Sequence, residues 1–182
     1  MKKALRIKAK NARLKFDVNK SSGKILEHIY GWDIFKNAKN VMIYCPIQNE
    51  IDLLGLLGCK DKSFYMPKIQ DEEICIVKFT STEDMCIGKY DIKEPDCCVY
   101  EKPDIVDMVF IPALMADEWG YRLGFGKGYY DRFLEKLPAR TLKVIPMYRE
   151  LFVEELPIEP HDQNADYVIT EDGIVSTRIV LG

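Results

Sequence analysis

The hydrophobic and polar positions of the chain switch between helical and strand-like periods. Close to the amino terminus, apolar residues recur with helical spacing, which predicts an amphipathic first helix. Its apolar positions are Leu5, Ala9, Ala12 and Phe16. Behind a polar turn, the pattern predicts a second helix over residues 22–35 and a third over residues 50–59. Three helices are thus expected before residue 60.

Two short apolar runs, each closed by a proline, are continuous rather than alternating. They cover residues 41–46 and 106–112, and such runs are typical of strands buried on both faces. Further strands are predicted at residues 63–66, 74–79, 142–145 and 166–170. Residues 80–104, rich in Asp, Lys, Pro and Cys, predict irregular surface with a turn at Gly88. The alternation of strands and helices favours an α/β fold with a mostly parallel sheet covered on both faces.

The composition places the chain among soluble globular proteins. Hydrophobic residues make up 47% and charged residues 30% of its 182 residues, which favours one domain over residues 1–182 and excludes disordered, fibrous and membrane classes. No apolar run approaches the roughly 20 residues of a membrane span, and the amino terminus is unlike a signal peptide, so a cytoplasmic protein is expected. Six cysteines without a CxxC pair favour reduced, mostly buried thiols over zinc or disulfides.

The charge is unevenly distributed along the chain. The net charge of -3 argues against a nucleic-acid-binding protein, yet seven of the first fifteen residues are Lys or Arg, with no acid before Asp17. On a helix, five of these cations fall in one arc beside the apolar stripe: Lys2, Lys3, Arg6, Lys10 and Arg13. Such a stripe is either a solvated face or a face that meets an anion. By themselves these residues favour the solvated face.

The stretch GYRLGFGKGYYDRFLEKL at residues 120–137 concentrates glycines in front of a predicted helix. The glycines are Gly120, Gly124, Gly126 and Gly128, and the helix has apolar positions at Tyr130, Phe133, Leu134 and Leu137. The glycine spacing fits neither the P-loop nor the GxGxxG pattern. Glycines nevertheless allow positive φ and close backbone approach, so that amides can surround an anion. With Arg122 and Lys127 beside it, and a buried strand before it, the loop predicts a phosphate site.

Asp131, in the first turn of the predicted helix, would repel a bound phosphate. One interpretation is that it only stabilises the start of the helix, where acids are favourable. The other is that it holds Mg²⁺, a hard cation that bridges carboxylates to substrate phosphates. Asp162 could be its partner, although the residues around it read as an ordinary polar turn.

The segment RLGFGKGYYDRFL at residues 122–134 resembles the signature of the 5-formyltetrahydrofolate cyclo-ligase family, also called methenyltetrahydrofolate synthetases. The similarity extends to residues 2–6, 44–52, 65–68, 92–95 and 156–162. The resemblance implies a three-layer α/β/α fold related to the sugar-phosphate isomerase and CoA-transferase group. It also implies conversion of 5-formyltetrahydrofolate to 5,10-methenyltetrahydrofolate, with Mg²⁺ and with ATP going to ADP and phosphate. The formyl oxygen would be phosphorylated before N10 of the folate attacks.

The resemblance also implies roles for residues that match the family's motifs. The expected ATP-binding residues are Lys2, Lys3, Arg6, Arg122, Gly124, Gly126, Lys127, Gly128, Tyr129 and Tyr130. The expected folate-binding residues are Cys45, Glu50, Phe125, Gly126, Lys127, Gly128 and Tyr129, and Lys68 stands where a basic residue is common. Asp131 and Asp162 match the magnesium ligands, and the catalytic set would be Arg122, Lys127, Tyr129 and Asp131. The expected partners are small-molecule substrates, and binding to nucleic acid or to a membrane is not expected. The chain is expected to be a monomer.

Four positions depart from the family pattern, and other functions remain open. Ala113, Ala116, Ile145 and Leu151 replace the usual glycine, aromatic residue, glycine and glutamine, and are expected to shape the folate side. The alternatives are a diverged nucleotide-binding member, or a sugar-phosphate isomerase or CoA-transferase on the same fold. A nucleic-acid-binding module that uses the basic first helix is a non-enzymatic alternative.

Overall fold

A computed structural model describes residues 1–79, 85–88, 93–96 and 99–177 of the chain. The α-helices in this part are α1 (Lys2–Arg13), α2 (Val18–Gly31), α3 (Asp33–Asn37) and α4 (Tyr129–Leu134). The first strands are β1 (Asn40–Met42), β2 (Ser63–Gln70), β3 (Glu73–Phe79), β4 (Met85–Ile87), β5 (Lys93–Pro95), β6 (Tyr100–Glu101) and β7 (Met108–Phe110). The later strands are β8 (Met115–Asp117), β9 (Arg122–Leu123), β10 (Leu142–Pro146), β11 (Phe152–Val153), β12 (Tyr167–Thr170) and β13 (Gly173–Ser176).

Eight of these strands form a central sheet in the order β13-β12-β10-β7-β1-β2-β3-β6. The five strands from β12 to β2 run parallel, and the outer pairs at both edges are antiparallel. The middle strands are fully buried because their residues are apolar on both faces, as at Val41 and throughout Met108–Phe110. The prediction of an α/β fold with a mostly parallel sheet is confirmed, whereas the single domain and the sugar-phosphate isomerase relationship stay predictions.

A small second sheet, in the order β11-β8-β9, was not predicted from the sequence. Its hairpin β8–β9 stands between β7 and the glycine loop, so the loop leaves β9 and not the end of β7 as predicted. The buried carboxylate of Asp117 fixes this sheet by accepting hydrogen bonds from the backbone amides of Trp119, Tyr121 and Leu156. Gly120 has φ of +85°, and a Cβ there would lie 2.3 Å from the carbonyl oxygen of Ala165. The hairpin therefore anchors the start of the loop.

The helices depart from the sequence prediction at their ends. The second helix begins earlier than predicted, because the side chain of Asp17 accepts a hydrogen bond from the amide of Lys20 and caps it. It then breaks at Trp32, whose ring packs on Tyr167 with centroids 4.8 Å apart. The helix predicted for residues 50–59 is wrong apart from a 3₁₀ helix at Leu54–Gly58. No helix in the described ranges has the length and apolar character that crossing a membrane requires.

The described part of residues 80–104 is more regular than predicted. It contains the antiparallel pair β4–β5, the edge strand β6 and a 3₁₀ turn at Pro103–Ile105. The rest of this prediction, and Cys97 and Cys98 with it, falls on residues outside the described ranges. Cys45, Cys59, Cys75 and Cys86 are free thiols, as predicted, but each is half-buried rather than buried.

Candidate active site

A cavity of about 310 Å³ opens beyond the carboxyl ends of β1 and β7. Tyr44 and Cys45, which follow β1, line it together with Pro112, which follows β7. Every residue from Arg122 to Asp131 also lines it, a segment that runs from β9 through the glycine loop into α4. The remaining predicted residues that line the cavity are Lys2, Arg6 and Asp162. Ligands of sheets with parallel strands bind at this edge, so the cavity is the candidate active site.

The loop is shaped by two glycines with left-handed backbone. Gly126 has φ of +99° and Gly128 has φ of +68°, and a side chain at either position would strain the backbone. A Cβ on Gly126 would also lie 3.2 Å from the guanidinium carbon of Arg6. Arg6 donates a 2.9 Å hydrogen bond from Nε to the carbonyl oxygen of Gly124. Helix α1 therefore presents a cation directly to the loop.

Lys2, at the start of α1, is held between two acids from the carboxyl-terminal part of the chain. Its Nζ lies 2.6 Å from Oδ2 of Asp162 and 2.9 Å from Oε2 of Glu159. Partial burial lowers the pKa of Lys2, but the hydrogen bonds to Asp162 and Glu159 outweigh this effect, and the pKa lies above its ordinary value. Asp162 also accepts a hydrogen bond from the amide of Glu159 at 2.7 Å. The acidic turn and α1 thus meet at the cavity.

The residues of the basic stripe of α1, taken by themselves, favoured a solvated face. The structure shows that the stripe is not simply solvated. Lys2 and Arg6 line the cavity, and Arg13 is buried, with its guanidinium donating to the carbonyl oxygen of Ala113. Lys3 is exposed and does not line the cavity. Lys10 is also exposed, with its ammonium 5.4 Å from the centre of the Phe125 ring. Packing onto the loop decides which of these cations reach the cavity.

Asp131 forms an ion pair with Arg122 across the start of α4. Nη1 of Arg122 lies 2.9 Å from Oδ1 of Asp131, and the side chains are 3% and 18% exposed. The amide of Gln163 lies 3.5 Å from the same oxygen, which puts Asp131 beside the turn that carries Asp162. Two carboxylates on one cavity wall, with cations around them, form an oxygen-rich environment that suits Mg²⁺. Glu159, His161 and Asp162 also offer ligand atoms within 4.8 Å of one another.

The opposite chemical character is found where β2 and β3 line the cavity. Met66, Pro67, Ile69 and Ile74 form an apolar wall, and such walls bind flat organic rings. Lys93 and Glu94 of β5 line the same region. Sequence reasoning missed both as functional residues, as it missed Glu159 and His161, although all four lie in segments that resemble the family. Only their placement on the cavity distinguishes them.

Glu50 and Lys68 lie outside the cavity lining. Lys68 donates a 3.1 Å hydrogen bond to the carbonyl oxygen of Pro95. Glu50 is only 3% exposed, and its Oε2 accepts a 3.0 Å hydrogen bond from the amide of Ile47. Burial raises the pKa of Glu50 to about 7, against the opposing effects of the Ile47 hydrogen bond and the Arg13 charge. Contact of Glu50 with a folate stays a prediction.

Glu50 is expected to make the chain less stable as the pH rises from about 4.5 to about 7. In the unfolded chain this carboxyl ionises near 4.5, whereas in the folded chain it keeps its proton up to about 7. As the pH rises, the carboxyl ionises in the unfolded chain before it ionises in the folded chain, which stabilises the unfolded state. Above pH 7, Glu50 therefore lowers the free energy of unfolding by on the order of 3 kcal/mol. Glu50→Gln should remove this decline, and its stability relative to the unsubstituted chain should increase between about pH 5 and pH 8 in urea denaturation.

The exposed residue Glu135 provides the control for this prediction. Glu135→Gln should follow the pH dependence of the unsubstituted chain. If the stability of Glu50→Gln also follows the pH dependence of the unsubstituted chain over the whole range, burial does not hold the proton on Glu50.

The four departures from the family pattern are packed in the core. Ala113, Ala116, Ile145 and Leu151 are each less than 5% exposed, and none of them lines the cavity. Ala113 accepts the hydrogen bond of Arg13, and Ile145 lies inside β10. Any influence of these positions on a folate would therefore act through the packing behind the cavity, and their effect on specificity stays a prediction.

The fold and the cavity define a mixed α/β protein with a glycine loop, cations and carboxylates at the carboxyl edge of its sheet. A family model described as the 5-formyltetrahydrofolate cyclo-ligase family matches residues 1–171, and the chain belongs to this family, a family of ligases. A 5-formyltetrahydrofolate cyclo-ligase of Mycoplasma genitalium is 31% identical over 132 residues, or 72% of each chain. The corresponding Mus musculus protein is 26% identical over 162 residues, or 78% of each chain.

A solved structure supports the same relationship. The NMR structure of Aquifex aeolicus 5,10-methenyltetrahydrofolate synthetase superimposes with a TM-score of 0.87 at 33% identity, over 100% of this chain and 95% of that one. A Mycoplasma pneumoniae structure with the same name shares the fold, with a TM-score of 0.76 at 23% identity.

Proposed function

We propose that this chain converts 5-formyltetrahydrofolate to 5,10-methenyltetrahydrofolate, with Mg²⁺ and with ATP going to ADP and phosphate. The observation that carries the proposal is the gathering of Arg122 to Asp131, Lys2, Arg6 and Asp162 around one cavity in a member of this family. The substrates are small molecules. A monomer and a cytoplasmic location stay predictions.

The glycine loop is the proposed site of the ATP phosphates. Positive φ at Gly126 and Gly128 allows the backbone to approach an anion closely, and Arg6 and Lys127 add full positive charges at the cavity. Phosphoryl transfer needs mainly positioning and charge neutralisation, both of which such a loop supplies. A strong protein nucleophile is not required for this chemistry.

Asp131 and Asp162 are the proposed holders of Mg²⁺, and the fit is supported by their place on the same cavity beside Gln163. When bound, the metal supplies positive charge to the phosphates of ATP. The chain itself keeps these carboxylates ready by pairing them with Lys2 and Arg122. Lys2 also lines the cavity, where its ammonium would meet a phosphate oxygen, which is the role that the family resemblance implies.

In the proposed reaction, the formyl oxygen of the folate attacks the γ-phosphorus of ATP, and ADP leaves. The formyl carbon becomes an electrophile, N10 of the folate attacks it, and N10 loses its proton. Phosphate then departs with the former formyl oxygen, and the methenyl bridge is complete. The role of the chain is to hold the formyl group against the phosphates, and Tyr129 and Phe125 line the cavity with the residues of its apolar wall.

One assay tests the proposal. The purified protein is incubated with 5-formyltetrahydrofolate, ATP and Mg²⁺, and the ultraviolet absorbance of the methenyl product is followed. We expect absorbance to rise only when all three are present, and to stop when a chelator removes the metal. Binding of ATP without any product would overturn the proposal in favour of a diverged nucleotide-binding member. Turnover of a sugar phosphate or an acyl-CoA would favour the other enzymes of this fold.

A further inference from the structure

Glu94 is a buried carboxylate on the cavity wall with few hydrogen bonds. It is 4% exposed, and in the described part of the chain its one hydrogen bond is long, at 3.3 Å from the amide of Ile69 to Oε1. A carboxylate can accept about four hydrogen bonds, and burial without donors costs free energy. Burial accordingly raises the pKa of Glu94, against the Ile69 hydrogen bond and the charge of Lys68. Among the described residues, this carboxylate therefore has few hydrogen-bond donors, and a ligand in the cavity could provide more.

The antiparallel pairing of β5 with β4 helps to place this carboxylate. Strand β5 pairs with β4 in the register Cys86 to Glu94. A Cβ added to Gly88 would lie 2.1 Å from Oε2 of Glu94 and 2.4 Å from its Cδ. A side chain at residue 88 would therefore displace the carboxylate, because the backbone there lies directly against it. The β4–β5 pair therefore presents Glu94 at the cavity.

The surroundings of Glu94 decide which ligand group it suits. Its partner Ile69 belongs to the apolar wall, and β5 packs against β2, which carries that wall. The carboxylate would repel a phosphate group placed directly against it, so the nucleotide triphosphate is expected at the glycine loop and its cations instead. A carboxylate next to an apolar wall suits a flat heteroaromatic ring whose edge carries adjacent N–H donors. The 2-amino-4-oxo edge of a pteridine has such a pair, the 2-amino group and the neighbouring ring N–H.

We propose that Glu94 is the specificity-determining residue that accepts hydrogen bonds from the 2-amino edge of the pteridine. The inference rests on the proposed function, because it names the residue that recognises the pteridine end of the proposed folate substrate. A site that hydrogen-bonds a ligand N–H rejects an analogue that lacks it, because the buried acceptor is then left without a partner.

The first test compares Glu94→Gln with Glu73→Gln, an exposed residue of β3 that pairs with Lys136. In Glu94→Gln, the Kd for 5-formyltetrahydrofolate should rise by about 10- to 100-fold, while the Kd for ATP changes by less than about twofold. Glu73→Gln should leave both values unchanged. An unchanged folate Kd in a folded Glu94→Gln protein would overturn the inference.

The second test separates recognition from a merely structural role. Pterin and lumazine differ at position 2, where pterin has an amino group and lumazine an oxo group. The unsubstituted chain should bind pterin more tightly than lumazine by about tenfold or more, and Glu94→Gln should lose this preference because an amide can also donate to the oxo group. Equal weakening of both ligands, or no preference in the unsubstituted chain, would overturn the inference.

Gly88→Ala provides a second variant that keeps the carboxylate but displaces it. It should reduce the preference for pterin as well, and retention of the full preference would contradict a role for the β4–β5 pair in placing Glu94. Binding of the two pteridines does not depend on turnover. If the unsubstituted chain shows no cyclo-ligase activity but a preference that depends on Glu94, the proposed function fails and this inference stands. If the chain has cyclo-ligase activity but shows no preference for pterin, the proposed function stands and this inference fails.

Discussion

Asp131→Asn should lower the turnover number at saturating ATP by on the order of 100-fold or more. The substitution keeps the size of the side chain and removes the negative charge that Mg²⁺ requires, so the variant should need far more metal for half-maximal rate. Initial rates of methenyl product formation, measured across a series of Mg²⁺ concentrations, test this directly. The folate Kd should change little, because Asp131 is proposed to act at the phosphate end of the cavity.

The same substitution should also lower stability. The side chain of Arg122 is only 3% exposed and pairs with Asp131 at 2.9 Å, so its charge loses its closest partner. We expect a loss of about 1–3 kcal/mol in the free energy of unfolding, since the asparagine oxygen can still accept a hydrogen bond. Asp172→Asn, in an exposed pair with Arg149, is the matched control and should change neither property. A folded Asp131→Asn protein with near-normal turnover and metal dependence would refute the assignment of Asp131 to the metal.

Lys127→Met should reduce turnover by about 100-fold with little change in stability. Lys127 lies between the two positive-φ glycines, is exposed, and lines the cavity. Its charge is expected to stabilise the phosphoryl group during transfer, and the removal of one such preorganised group costs on the order of 100-fold. Both the turnover number and the KM for ATP should worsen, whereas the folate Kd should change less.

Lys136→Met is the control for this prediction. Lys136 follows α4 and is exposed, and its ammonium lies 2.6 Å from the carboxylate of Glu73. It does not line the cavity. It should retain full activity. Equal losses in the two variants would mean that net charge, and not the position of Lys127, affects the rate, which would contradict the proposed role.

The regular parts of the fold were predictable because their patterns are local. The buried strands β1 and β7 followed from continuous apolar runs, and α1 followed from helical spacing of its apolar residues. The hairpin β8–β9 was missed, since its strands contain only three and two residues and carry no alternation long enough to detect. The helix predicted at residues 50–59 failed because Asp52 accepts a hydrogen bond from the amide of Leu54 and favours a tight turn there.

The candidate site was partly predictable for the same reason. The glycines and cations of residues 120–131 lie close together in the sequence, so their chemistry could be inferred from composition and spacing. Glu94 gave no such signal. It is one of many acids in a polar segment, and it stands out only because β5 places it on the cavity wall.

The sequence by itself determined the periodicities, the phosphate-binding chemistry predicted for the glycine loop and the family resemblance, because each of these depends on residues that are close together in the sequence. Only the tertiary structure decided which distant groups meet. Lys2 contacts Asp162 across 160 positions of sequence, and Arg6 contacts Gly124 across 118. These contacts depend on the order and register of the sheet and on the packing of α1 against the loop. The tertiary structure also brought two cations of the basic stripe of α1, Lys2 and Arg6, to the cavity, which the stripe by itself did not indicate.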